Sequence, residues 1–215
     1  SDFAGGESSG GISSGGIYSF DVGSNRTLGV QPTGSDMTPG SIGLQLTNST
    51  GTSVDQWTIS YDLWVNNNEQ RGNSVQLSYS LDDSSYVSLS ELDYVSPVAS
   101  DTAGWTINSL ETTFDITVAN GSNLFFKWTI ADDSGSGSRD EFGFDGIVVS
   151  TETSGGAGGG SVGDVQTQDL RIVSYNTANS PQNSSDQNQF STIFSAIGLE
   201  TVSGVTREID LLVIQ

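Results

Sequence analysis

Four stretches of this chain alternate apolar and polar residues with a period of two: Ile42, Leu44 and Leu46; Trp57, Ile59, Tyr61, Leu63 and Val65; Val75, Leu77, Tyr79 and Leu81; and Leu124, Phe126, Trp128 and Ile130. A period of two sends alternate side chains to opposite faces of an extended strand, so each stretch is a strand with one dry face and one wet face. On a helix the same residues would be scattered round the whole circumference, and no segment before residue 185 shows a helical period. Shorter candidates at 17–20, 27–30, 86–89, 110–118 and 146–150 bring the total to about nine strands. They are separated by turn sequences such as NSTG (48–51), LDDSS (81–85) and ANGS (119–122). The pattern predicts an all-β N-terminal domain over residues 5–152, an antiparallel β-sandwich of jelly-roll type.

The chain contains neither cysteine nor histidine. That removes disulfides, thiolate metal sites, every Ser/His or Cys/His arrangement and the commonest general base. The side chains left for chemistry are carboxylates, amides and hydroxyls, whose oxygens favour hard cations such as calcium or magnesium. A net charge of −20 repels phosphate backbones and makes the sandwich a poor nucleic-acid binder. One lysine, Lys127, among abundant Ser, Thr, Asn and Gly is a composition common in secreted proteins. No stretch approaches the ~18 apolar residues of a membrane span. The start at Ser1, without Met or a signal-peptide core, reads as a processed or cut N-terminus.

Two features of the sandwich carry candidate chemistry. The loop ADDSGSGSRDEFGFD holds Asp132, Asp133, Asp140, Glu141 and Asp145 among glycines that let backbone carbonyls turn toward a centre. It admits a structural calcium site, completed by Glu7 or Asp21, or a solvated hairpin tip with Asp145 bonded to Arg26 or Arg139. The spacing is not that of an EF-hand. Trp57 and Trp128 share the phase of their apolar neighbours and read as core, whereas Trp64 is out of phase with Leu63 and Val65. Followed by Asn66, Asn67 and Asn68, Trp64 is the candidate for a sugar-stacking residue.

The succession GGIYSF, SNRTLG, IGLQLTNSTG, WTISYDLW, VQLSYSLD, LDYVSP and LFFKWTIADDSGSGSRDEFGFDGIVVS resembles the secreted jelly-roll modules that precede catalytic domains in bacterial extracellular proteins. The resemblance implies a non-catalytic role in binding or spacing.

Residues 153–168 combine glycine runs with small polar residues and read as a flexible tether. Beyond it, residues 169–215 change character. Leu170–Tyr175 is an apolar run, Phe190, Ile193, Phe194 and Ile197 mark one face of an expected helix over 189–199, and Ile209–Ile214 is a second apolar run. The expectation is an incomplete α/β fragment, one βαβ unit cut off at Gln215. LRIVSYNTAN followed by DLLVIQ resembles the start of the endonuclease/exonuclease/phosphatase superfamily, the deoxyribonuclease-like phosphodiesterases. The resemblance implies that Asn176, with Asn179 nearby, helps hold a catalytic Mg2+ and the attacking water. Gln215 then precedes the position of a metal-binding Glu. It further implies nucleic acid or another phosphodiester as substrate, with chemistry completed only beyond Gln215. The leading expectation is therefore a fragment of a secreted, modular, metal-dependent phosphodiesterase or nuclease. The alternative is an extracellular adhesive, structural or carbohydrate-binding sandwich, whose partners are a glycan, a cell-surface ligand or further copies of itself.

Overall fold

A computed structural model describes residues 4–34 and 36–151, together with the backbone of a few short strands beyond. The chain divides into two compact units, Ser1–Gln168 and Asp169–Gln215. In the first, the strands are β1 (Ala4–Ser8), β2 (Gly16–Val22), β3 (Asn25–Gln31), β4 (Gly40–Thr47), β5 (Val54–Asn66), β6 (Arg71–Ser80), β7 (Val87–Ser88), β8 (Tyr94–Val95), β9 (Trp105–Val118), β10 (Asn123–Gly135), β11 (Glu141–Thr151) and β12 (Gln166–Asp169). A single 3-10 turn, Ser90–Leu92, interrupts them.

They form two sheets. The larger has seven strands in the order β1-β2-β3-β11-β5-β9, with β12 also on β11; the smaller has five in the order β4-β10-β6-β7, with β8 also on β6. β1 and β2 run parallel, and the pairs β2–β3, β3–β11, β11–β5, β5–β9, β4–β10, β10–β6, β6–β7 and β6–β8 are antiparallel. β12 occupies part of the expected tether, at its C-terminal end.

The alternation read from the sequence is the alternation of burial. Trp57, Ile59, Tyr61, Leu63 and Val65 of β5 face inward, as do Val75 and Leu77 of β6, Leu124, Phe126, Trp128 and Ile130 of β10, and Phe142 and Phe144 of β11. Aromatic edges lock the two sheets: Tyr61 of β5 meets Trp128 of β10 edge-on at 5.7 Å between centroids, and Phe144 of β11 meets the same tryptophan at 6.1 Å. Such pairs add about 0.5–1.5 kcal/mol beyond the area they bury. The Tyr61 hydroxyl donates to the Leu92 carbonyl at 3.1 Å, and burial pushes its pKa well up. Leu81, grouped with β6 by the alternation, falls one residue past the strand and is exposed. The unit is a β-sandwich.

In the second unit the described elements are β13 (Ile172–Tyr175), β14 (Thr201–Val202), β15 (Val205–Thr206) and β16 (Leu211–Ile214). β13 and β16 pair in parallel, from Ile172 opposite Leu211 to Tyr175 opposite Ile214, as the two apolar runs suggested. The α/β class expected here is corrected: every regular element described in this unit is a strand, and the expected helix over 189–199 lies outside the described residues. The stretch before β16 supplies the antiparallel pair β14 and β15. Its physical reason is local: β-branched Thr201, Val202, Val205 and Thr206 flank a Ser-Gly dipeptide, which favours a hairpin over helix.

Candidate functional site

The five carboxylates of the acidic loop do not converge. Asp132 pairs with Arg71 at 3.1 Å and with Arg139, and the Arg139 hydrogen bond, ahead of the neighbouring charges, holds its carboxyl below the usual range. Asp133 accepts from the hydroxyl of Ser134, and Asp145 from the amide of Asn25. Asp140 and Glu141 are fully buried, but as successive residues of an extended chain they point to opposite faces. Asp140 accepts from Ser96 Oγ at 2.5 Å and from the Glu69 amide at 3.2 Å, and burial pushes its pKa up. Glu141 turns to the outer face of the larger sheet. Among the described residues no three Asp or Glu are grouped to hold a metal ion, so the expected calcium set is not assembled in one place.

Glu141 instead fastens a strap. Its carboxylate accepts from the backbone amides of Gly11 at 2.9 Å and Ile12 at 2.7 Å, and from the Asn66 side chain at 2.7 Å. The segment between β1 and β2 is thereby drawn across the outer face, where the Trp105 indole donates to the Ser9 carbonyl at 2.9 Å and the Tyr18 hydroxyl to the Ser14 carbonyl at 3.0 Å. Burial, and then the charge of Glu141, raise the Tyr18 pKa. Beneath lies a second apolar cluster of Tyr18, Phe20 and Val22, with Ile12, Trp64 and Trp105 packed against it. Trp64 does lie on the outer face, opposite Leu63, but it is half-buried in this cluster. Two glycines make room for it. Tyr18, Gly29, Gly143 and Trp64 stand in one cross-strand row, and a Cβ at Gly29 would sit 2.2 Å from the Phe20 ring.

Among the described residues the outer face of the smaller sheet is open at its β4 side, where Ser41, Gly43 and Gln45 are exposed. Its registers place Gln45, Phe125 and Ser80 in one row, Gly43, Lys127, Ser78 and Ser88 in the next, and Ser41, Thr129 and Gln76 in a third. None of these residues is acidic. A Cβ built at Gly43 would meet nothing closer than a backbone oxygen at 3.9 Å, so no side chain roofs that position. Phe125 is half-buried on an otherwise polar surface. Beside it the Lys127 ammonium rests 3.4 Å from the centroid of the Tyr86 ring.

The turn after β6 sets Tyr86 in place. Asp82 accepts from the Ser84 amide at 2.9 Å, the Ser85 amide at 2.7 Å and the Ser80 hydroxyl at 2.8 Å, and these bonds, that from Ser85 first, hold its carboxyl well below the usual range. The Tyr86 hydroxyl donates to Asp83, and its pKa is pushed up to about 12, by burial first and then by that bond and the charges of Asp83 and Asp82. Neither ring was singled out from sequence, although Phe125, apolar and out of phase with Leu124 and Phe126, carried the same signal that singled out Trp64. Asn176, Asn179 and Gln215, which carry the hydrolase resemblance, lie outside the described residues.

No protein-family model matches the chain. No curated protein matches it in sequence. Among solved structures, a carbohydrate-binding module specific for non-crystalline cellulose superposes with a TM-score of 0.38 at 11% identity, over 61% of this chain and 78% of that one. A structure of infectious bursal disease virus, Gt strain, superposes with a TM-score of 0.25 at 8% identity, over 60% of this chain and 33% of that one. Likeness at this level assigns no function.

Proposed function

We propose that the sandwich is a non-catalytic module that binds extracellular polysaccharide on the outer face of β4, β10 and β6. One observation carries the reading: two half-exposed rings, Phe125 and Tyr86, stand with Lys127 on a face otherwise built of Ser, Thr, Gln and Gly, with the space above Gly43 left open. Sugar rings present C–H faces that stack on aromatic rings, and hydroxyls that exchange hydrogen bonds with amides and hydroxyls. A sheet face left open at Gly43 suits an extended chain rather than a small enclosed molecule.

The test is titration of the 215-residue chain with a panel of soluble polysaccharides by calorimetry, repeated on Phe125→Ala and Tyr86→Ala. Each substitution should weaken binding about tenfold or more, the scale of one stacked ring, while leaving the melting temperature nearly unchanged. Trp64→Ala is the control, because it should lower the melting temperature and leave affinity alone. Binding that survives both ring substitutions, or that is lost only with Trp64, would remove this face as the site.

A further inference from the structure

We infer that the polysaccharide is an anionic one, bearing a carboxylate or sulfate on its sugar rings, and that Lys127 selects it. The inference rests on the open face being the glycan site, and it names what distinguishes that glycan.

The arginines among the described residues are all engaged in ion pairs. Arg26 pairs with Glu7 and Asp21, and Arg71 and Arg139 both pair with Asp132. In a chain of net charge −20 such pairing is the expected fate of a positive side chain. Lys127 departs from it: among the described residues it has no ion pair, and its ammonium is seated on a neutral ring. Its row and both adjoining rows are formed by Ser, Thr, Gln, Gly and Phe, so no carboxylate of the sheet reaches it from this face. The two carboxylates of the neighbouring turn make no ion pair with it: Asp82 accepts from the amides of Ser84 and Ser85, and Asp83 from the hydroxyl of Tyr86, the ring that seats the lysine.

The seat on Tyr86 restrains the lysine without using up its charge. A cation over an aromatic face is held by the ring quadrupole, and the N–H groups that point away from the ring stay free to donate. A long side chain fixed in one place has already lost much of the rotamer freedom that ligand binding would otherwise remove. What it then presents is a compact point charge on a face whose registered rows carry no carboxylate, beside a ring on which a sugar can stack. An ammonium lacks the planar fork of a guanidinium, so it recognises the charge of the anion rather than its shape. Carboxylate and sulfate therefore share the chemistry, and the experiment separates them.

The experiment uses the 215-residue chain at about 0.15 M salt, where the Debye length of ~8 Å keeps the net negative charge of the protein from masking a contact pair. The probes are polygalacturonate, the same polymer with its carboxyl groups chemically reduced to alcohols, and a sulfated galactan with its desulfated counterpart. The expected result is binding to at least one anionic polymer, about tenfold tighter than to its neutral counterpart, the scale of one charge-assisted hydrogen bond. Lys127→Met, which keeps the apolar stem over Tyr86, should abolish that preference while leaving the melting temperature unchanged. Lys127→Arg should keep the preference. Equal affinity for charged and neutral polymers, or an undiminished preference in Lys127→Met, overturns the inference while the open-face site stands. If no polymer binds, or if Phe125→Ala and Tyr86→Ala change nothing, the site itself falls and the inference with it.

Discussion

The two outer faces of this sandwich are made from the same kind of strand and end in opposite conditions. On the larger sheet, glycines at 29 and 143 create space that is filled at once, by the Phe20 ring and by the side chain of Thr27, and a strap pinned by Glu141 closes over the result. On the smaller sheet the glycine at 43 creates space that nothing fills. A missing Cβ thus means close packing in one place and an open surface in the other. In both places a neighbouring strand offers an aromatic residue one row away, and what differs is where its ring lies: the Phe20 ring covers Gly29, whereas Phe125 leaves Gly43 clear. β2 offers Tyr18 and Phe20 to the covered face, whereas β4 and β6 offer the open face only Ser, Thr and Gln beside Phe125.

The comparison breaks most readily at Glu141. Replacing it with Ala leaves the amides of Gly11 and Ile12 and the side chain of Asn66 without their shared acceptor, and should cost about 3–4 kcal/mol by urea denaturation. A loss within about 0.5 kcal/mol, the usual range for surface changes, would mean that the strap is ornament rather than cover. Gly29→Ala comes next. Its methyl would meet the Phe20 ring and should cost about 2–3 kcal/mol through overpacking, whereas Gly43→Ala should fall within about 0.5 kcal/mol of the parent. Equal costs at the two glycines would erase the distinction between the faces.

The smallest effect concerns Asp140, the residue beside Glu141 that points the other way. Its folded pKa is raised, so its contribution to stability is fully present below the unfolded pKa and is lost as pH rises through the folded one. Asp132 has the opposite sign: its lowered pKa gives stability above the unfolded value that is lost as pH falls through the folded one. Melting temperatures between about pH 3 and about pH 8 should show Asp140→Asn losing the decline toward neutral pH and keeping the loss in acid. If Asp132→Asn, and not Asp140→Asn, abolished the decline toward neutral pH, the two roles would be exchanged.

Much of the sandwich was legible because a strand with one buried face writes its burial into every second residue. Trp57 and Trp128 were placed in the core by phase alone, and both are there. Phase also put Trp64 on the outer face, but phase cannot say whether a face is covered. Its cover comes from residues 9–14, far away in sequence, and from the glycine lane that admits Phe20. The acidic loop misled for a related reason. Five carboxylates within fourteen residues look like a cluster, yet the two buried ones, Asp140 and Glu141, are held by entirely different partners. The hydrogen-bond partners that decide each one, Ser96, Asn66 and the amides of Gly11 and Ile12, are close only after folding. In the second unit, apolar runs gave the parallel pair of β13 and β16, but the period that suggested an α/β class said nothing of the β-branched pair at Thr201–Val202 and Val205–Thr206.

The bond from Gly11 to Glu141 spans 130 positions. During synthesis, at roughly 5–20 residues per second, the amides of the strap are made about 7–26 seconds before their acceptor. For that interval Tyr18, Phe20 and Val22 belong to a nascent chain whose cover can form but cannot lock. The last strand of the larger sheet's centre acts as a latch that closes over the first segment of the domain. A chain arrested before residue 141 should therefore expose an aromatic surface that the finished one hides, and a holdase chaperone would find its target there.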